Sequence, residues 1–309
     1  MSEAAINVKN LVKTYGEVRA VDGISFDVKK GEVFAFLGPN GAGKTTTVEI
    51  IETIRTPTSG EVDIFGYNIR KDKKEIIKRI GVLPQQFSSF DRITVRETVE
   101  YFRSLFGGGR DIDKLIEMVG LSEEKDKWYM NLSGGLKQRL GIAVALANDP
   151  EIVFLDEPTT GLDPRARRET WEVIKTLKSE GKTIFLTTHY MEEAEYLADR
   201  VAIISKGKII AQGSPSALVD ELVRIAHITF RHVGGEVKEV AESMSLPYTV
   251  LSSGDVVIDV ESSDALVRII NEVKRRDINF DGLDVRKGNL EEVFLKLTGE
   301  SLHEGGNGK

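Results

Sequence analysis

The chain has 309 residues, of which 40% are hydrophobic and 29% charged, with a formal net charge of −7 and no cysteine. That length can bury one large core and leaves room for a second domain. The acidic balance argues against nucleic acid as the main partner, because phosphate backbones attract a basic face, and the lack of cysteine excludes disulfides and thiolate metal sites.

In chain order, the polar start "MSEAAINVKN" lacks the apolar core of a secretory signal. "INVKNLVKTY" and "ISFDV" read as strands, and "EVFAFLG" as a buried strand. Gly38 to Lys44 then turns the chain into a helix, "KTTTVEIIETI". "PTSGEVDIFG" reads as a turn and a strand, and "IGVLPQ" as another short strand. From Thr94 the pattern becomes helical: "TVRETVEYFRSLF" spaces Val95, Val99, Phe102 and Leu105 along one helix face, and "DIDKLIEMVG" ends on a glycine cap. "LGIAVALA", among the longest apolar runs, falls well short of the roughly 20 residues that span a bilayer. Any membrane role is therefore expected to pass through a partner.

Strand and helix then alternate. "EIVFLDEP" and "KTIFLTTH" are strands, "PRARRETWEVIKTLKSEG" and "YMEEAEYLA" helices, and "RVAIIS" and "KIIAQG" strands again. Continuous apolar strands separated by helices indicate a largely parallel sheet covered on both faces. After "GSPSALVDELV" the order β-α-β-β-α-β, closed by a helix "NLEEVFLKLTG", predicts a small α+β domain of the ferredoxin-like, split βαβ kind. The predicted domains are 1–220, with a helical subdomain at about 88–148, then 221–300, and a frayed tail at 301–309.

"GPNGAGKTT" fits G-x-x-x-x-G-K-[ST] between a predicted strand and a predicted helix. Glycines let backbone N–H groups close round phosphate oxygens, and the helix start adds a positive dipole. Lys44 should reach the β- and γ-phosphates, and the Thr45 hydroxyl should hold Mg²⁺. In "IVFLDEP" an apolar strand delivers Asp156 to the carboxyl edge of the sheet, where ligands of open α/β sheets bind. Asp156 is placed to contact Mg²⁺, and Glu157 to orient or deprotonate a water attacking the γ-phosphate. His189 closes a strand at the same edge, where it either donates to the γ-phosphate or serves structure alone. Gln85 can bind Mg²⁺ or water, with Gln86 beside it as the alternative. Tyr15, before Gly16, either stacks on a base or packs at a sheet edge.

"NLSGGLKQRL" supplies a second anion turn, Ser133–Gly134–Gly135, at a helix start. One nucleotide has one γ-phosphate, so this turn is expected to serve a nucleotide held by a second copy, in a symmetric pair. A capping box would want Glu or Gln at 136, where Leu136 stands. The Ser133 hydroxyl is therefore expected to be less committed locally and able to face that phosphate.

Over about Ile6 to Pro215 these ordered motifs, with "GLDP" after the Asp156–Glu157 strand, resemble the ATP-binding subunit of an ABC transporter. "TTHYMEEAEYLADRVAIISKGKIIAQGSP" and "NLEEVFLKLTG" look like its ABC-2-type export group. The resemblance implies an α/β P-loop cassette with a mostly parallel core, an antiparallel β subdomain and a helical subdomain. It implies ATP and Mg²⁺ as cofactors. Tyr15, Gly38, Pro39, Asn40, Gly41, Ala42, Gly43, Lys44, Thr45 and Thr46 would hold the nucleotide, with Ser133, Gly134 and Gly135 reaching it from the opposite subunit. Thr45, Gln85 and Asp156 would hold the metal. Lys44, Gln85, Glu157 and His189 would serve hydrolysis, and Asp163 would link the two sites. Expected partners are a membrane permease, contacted through the block around Gln85 to Phe106, and a second ATP-binding subunit as homodimer or pseudo-dimer. The protein would then be cytoplasmic and peripheral on the inner face of the membrane. An importer ATPase with a ligand-sensing tail, a soluble non-transport ABC ATPase and a non-enzymatic tail-mediated dimerisation role are the other expectations.

Overall fold

The structure, a computed structural model, describes residues 4–223, 226–231 and 236–299, so the 301–309 tail lies outside the described residues. The chain divides into two compact units, one ending at Pro215 and one starting at Ser216, close to the expected boundary near Asp220.

The first unit opens with β1 (Ala4–Tyr15), β2 (Val18–Lys29) and β3 (Val33–Leu37), followed by α1 (Lys44–Ile51). β4 (Ser59–Ile64), β5 (Tyr67–Asn68), α2 (Lys73–Ile77) and β6 (Ile80–Leu83) come next. The helical block is α3 (Val95–Leu105), α4 (Ile112–Met118) and α5 (Gly134–Ala145). β7 (Ile152–Asp156), α6 (Pro164–Ser179), β8 (Thr183–Thr188), α7 (Met191–Leu197), β9 (Arg200–Ser205) and β10 (Lys208–Gly213) complete the unit.

Two sheets result. The central one has the order β10-β9-β3-β8-β7-β6; the strands from β9 to β6 run parallel, and β10 is antiparallel to β9. Every residue of β3, β7 and β8 is buried, which is why these segments read as unbroken apolar runs rather than alternating ones. The second sheet, β2-β1-β4-β5, is antiparallel. Phe26 of β2 stacks on Phe34 of β3 at 5.4 Å, and Phe36, Phe154 and Phe185 complete a ring cluster that joins the sheets. Each such pair adds about 0.5–1.5 kcal/mol beyond its buried area.

Local chemistry sets the element ends. Thr94 and Glu97 form a capping box at the start of α3. Asp163 caps α6, whose first residue is Pro164. Helix α1 stops short of the predicted Ile54, because Thr53 turns to φ +66°. The α3 stripe is only partly covered: Val95 and Val99 are buried, whereas Leu105 is 62% exposed.

The second unit contains α8 (Pro215–Leu222), which begins at the division, then β11 (Ala226–Arg231), α9 (Glu236–Ser243), β12 (Tyr248–Val250), β13 (Val256–Val260), α10 (Ser263–Arg275), β14 (Gly282–Lys287) and α11 (Leu290–Thr298). Its sheet is antiparallel, in the order β12-β13-β11-β14. Alternate residues Ile228, Phe230, Val256 and Ile258 pack with Val237 and Val240 of α9 and Ile269 and Val273 of α10. Because strand side chains alternate, His227 points to the other face. There it bridges Asp259 of β13 (Nδ1 to Oδ1, 2.7 Å) and Glu292 of α11 (Nε2 to Oε2, 2.9 Å).

Candidate functional site

The loop Gly38–Gly43 joins buried β3 to the start of α1. A Cβ at Gly38 would lie 2.2 Å from the Ile204 carbonyl oxygen, and one at Gly43 2.4 Å from that of Ala20, with Gly43 at φ +107°. Only glycine fits either position. Helix α1 has no side-chain cap, so its first N–H groups and its positive dipole end are open to an anion. Lys44, 5% exposed, folds back to donate to the carbonyl oxygens of Gly38 (2.7 Å) and Pro39 (3.2 Å). Burial holds its pKa below the usual lysine range, against the attraction of Glu157 and Asp156. Thr45 stands exposed beside it.

β7 and β8 are parallel neighbours, with Asp156 opposite Thr187. The Thr187 hydroxyl donates to Asp156 Oδ1. Burial raises the Asp156 pKa despite that bond. Glu157 follows with φ +47°, a left-handed conformation that costs a non-glycine residue about 1–3 kcal/mol and clusters at functional sites. Its carboxylate accepts from Gln85 Nε2 (3.2 Å) and Thr160 Oγ1 (3.1 Å) and pairs with Lys44 Nζ at 3.5 Å. His189 Nδ1 stands 3.2 Å from Glu157 Oε2, off the line of a straight hydrogen bond. With His189 as the largest influence and Lys44 assisting, the Glu157 carboxyl is held down at about 2 although burial opposes it.

Lys44, Gln85, Asp156, Glu157 and His189, scattered over the sequence, therefore meet at the carboxyl edge of the central sheet. Gln85, rather than Gln86, reaches Glu157. Tyr15 ends β1 with 40% exposure, and Lys13 Nζ and the Arg55 guanidinium lie 5.0 and 5.7 Å from its ring centre. The second turn lies elsewhere: Ser133, Gly135, Leu136 and Arg139 line a cleft of about 640 Å³ with Asp163 and Ala166, and no residue of the Gly38–Gly43 loop lines it. The Ser133 hydroxyl is more committed than its sequence implies. It accepts from the Leu136 N–H at 3.4 Å, because an N-cap needs only the backbone donor that any residue supplies. Asp163 is likewise engaged, accepting from the N–H groups of Arg165 and Ala166 at 3.0 and 2.9 Å.

Sequence reasoning overlooks Thr187 and Thr160, whose roles depend on which strands are neighbours and how the chain turns after β7. It also overlooks Glu193, which is fully buried and accepts from Thr159 Oγ1 (2.8 Å) and Trp171 Nε1 (2.9 Å), tying α7 to α6 and to the loop after Glu157. A second groove, of about 530 Å³, has largely apolar walls of Ile77, Ile80, Val82, Phe87, Phe102 and Phe106.

Residues 21–160 match the family described as ABC transporter. Over 98% of its length the chain is 39% identical to the whole of the Nod factor export ATP-binding protein I of Paraburkholderia xenovorans (strain LB400). It is 41% identical to the protein of the same name from Rhizobium meliloti (strain 1021), over 97% of this chain and 90% of that protein. Among solved structures, 68% of the chain superposes on 98% of an ATP-binding cassette described as a dimer in a post-hydrolysis state bound to ADP and Pi, with TM-score 0.61 and 30% identity. An ATP-binding cassette of an ABC transporter in its ADP conformation matches with TM-score 0.64 and 26% identity, over 72% of this chain and 95% of that one. With the phosphate-loop fold, the convergent site and full-length relatives in agreement, the chain belongs to the ABC transporter family as an ATP-binding cassette.

Proposed function

We propose that the chain is the ATP-hydrolysing subunit of an ABC exporter, working peripherally on the cytoplasmic face of the membrane through a separate permease. The observation that carries this reading is the grip on Glu157 by Lys44, Gln85 and His189 at the end of the phosphate loop. In this reading Lys44 leaves the Gly38 and Pro39 carbonyls for the β- and γ-phosphates, the loop N–H groups bind the remaining oxygens, and Tyr15 stacks on adenine. His189 turns to the γ-phosphate. Glu157 thereby loses the two neighbours, His189 and Lys44, that hold its pKa at about 2, and becomes a better base for the attacking water. The carboxylate sits ionised but weakly basic until the nucleotide removes its partners.

Thr45, Asp156 and Gln85 offer a hydroxyl, a carboxylate and an amide oxygen, the hard oxygen donors that Mg²⁺ prefers. Gln85 spends its amide nitrogen on Glu157 and keeps its oxygen for the metal. Bound there, the ion would neutralise phosphate charge.

Pairing with a second ATP-binding subunit is supported by the cleft at Ser133 and Gly135, set apart from the phosphate loop of the same chain, and by the dimeric cassette among the solved relatives. Asp163 lines the same cleft, which supports its reading as a link between the two sites. The permease contact is supported by the apolar groove, flanked by exposed Ile54, Ile77 and Phe106. Export is supported by the names of the full-length relatives. The strand order β12-β13-β11-β14 supports reading the C-terminal unit as ferredoxin-like.

The test is Glu157→Gln. This variant is expected to bind ATP, associate into dimers in its presence, and hydrolyse it ~10²-fold or more slowly. Hydrolysis at the wild-type rate would remove Glu157 from the mechanism.

A further inference from the structure

Helix α1 ends on a carboxylic acid outside the nucleotide site. Glu52 is 7% exposed and its Oε1 has no hydrogen-bond partner. The next residue, Thr53, is also 7% exposed, holds φ +66°, and has an Oγ1 equally without a partner. Buried polar atoms are almost always satisfied, because one left alone forfeits its hydration without a replacement. A β-branched residue in the left-handed region is a genuine conformational outlier. Burial, with repulsion from Asp156 and Glu49, pushes the Glu52 carboxyl up to about 8. The backbone of this turn is held by the Ile54 and Arg55 N–H groups donating to the Glu49 carbonyl (2.8 and 2.9 Å), but the two adjacent side-chain atoms find no partner among the described residues.

Both residues line the apolar groove, together with Ile77, Phe87, Phe102 and Phe106. Lys73 lines it too, yet leaves Glu52 Oε1 without a partner. We propose that Glu52 and Thr53 form a polar receptor in this groove for a lysine or arginine on a docking helix of the permease, whose apolar face packs on the phenylalanines. The inference rests on the reading of the groove as the permease contact, and adds which side chain the groove selects. A long aliphatic stem suits the apolar walls while its charged tip reaches the acid. A charge-assisted hydrogen bond in that setting is stronger than a neutral one. A helix without the donor would leave Glu52 buried and unpaired, so the acid discriminates between partners as well as attracting one.

The test uses the full chain and labelled, helix-stapled amphipathic peptides of about four turns. One series carries a lysine at successive positions along an apolar face of leucine and phenylalanine. The matched series carries norleucine, which keeps the stem and lacks the charge. In fluorescence anisotropy, the best lysine peptide is expected to bind the wild-type chain ~10-fold or more tightly than its norleucine match. That advantage is expected to vanish in Glu52→Gln, while Phe102→Ala weakens both series; melting curves establish that each variant is folded. Equal binding of the two series, with Phe102→Ala still weakening both, would leave the groove as the permease contact and overturn the role of Glu52. A lysine advantage that persists in Glu52→Gln, or no binding by any peptide, also overturns it.

Discussion

At the scale of single residues, two acids of the first unit sit in environments that push them in opposite directions. Glu157 is kept ionised by His189 and Lys44 at about 2, whereas Glu52, buried without a partner, is pushed up to about 8. The second shift has a testable sign. A carboxyl with a folded-state pKa above its ordinary value opposes folding increasingly as pH rises from that ordinary value to the raised one. Replacing it with an uncharged amide of the same shape removes that opposition. Glu52→Gln is therefore expected to raise the melting temperature, with little effect at pH 4 and a gain that grows to a plateau above pH 8. A pH-independent gain, or a loss, in melts across that range would contradict the assignment. Lys44, Asp156 and Glu157 are legible in the sequence because each belongs to a motif whose spacing encodes its placement, whereas His189 alone leaves two roles open, and the structure sets it 3.2 Å from Glu157. Thr187 and Glu52 are not legible. The first acts only because β8 lies beside β7, and the second matters only because of what fails to reach it.

At the scale of elements, the strands and helices followed from periodicity, and the departures have local causes. β5 spans two residues and α2 five, too short for a periodic pattern to register. The T-x-x-E signature that caps α3 was available in the sequence at Thr94 and Glu97. His227 shows what the register adds. Pairing β11 with β13 sets it opposite Asp259, while Glu292 approaches from α11. Burial works against its charge, but Glu292 and Asp259 prevail and raise its pKa. An imidazolium favoured by the folded state contributes fully below the ordinary value of about 6.5, and its contribution fades as pH rises through the raised value. Amide hydrogen exchange of β11, β13 and α11 in the full chain is thus expected to show protection falling as pH rises above about 6.5. In His227→Gln that fall should be absent. Unchanged protection of the wild type across this range would mean that the bridge contributes nothing to the unit.

At the scale of the whole molecule, the nucleotide motifs all lie in the unit that ends at Pro215, and the core of the second unit is its own. A chain truncated after Pro215 is accordingly expected to fold and to bind ATP as tightly as the full chain, measured by calorimetry. Loss of nucleotide binding in a folded truncation would give the C-terminal unit a part in the site. The order of predicted strands and helices sets the expected boundary at 220, and the contacts divide the chain after Pro215. The groove was not visible in the sequence, because it is made by residues from α2, β6, α3 and α5 that have no common pattern along the chain. Its exposed neighbours Ile54, Ile77 and Phe106 have a consequence for the cell as much as for the molecule. If the permease covers this face as proposed, a subunit synthesised in excess of it would circulate with greasy side chains uncovered, prone to clumping with its own kind. Matched output of the two gene products then becomes a matter of colloidal safety, beyond the needs of transport.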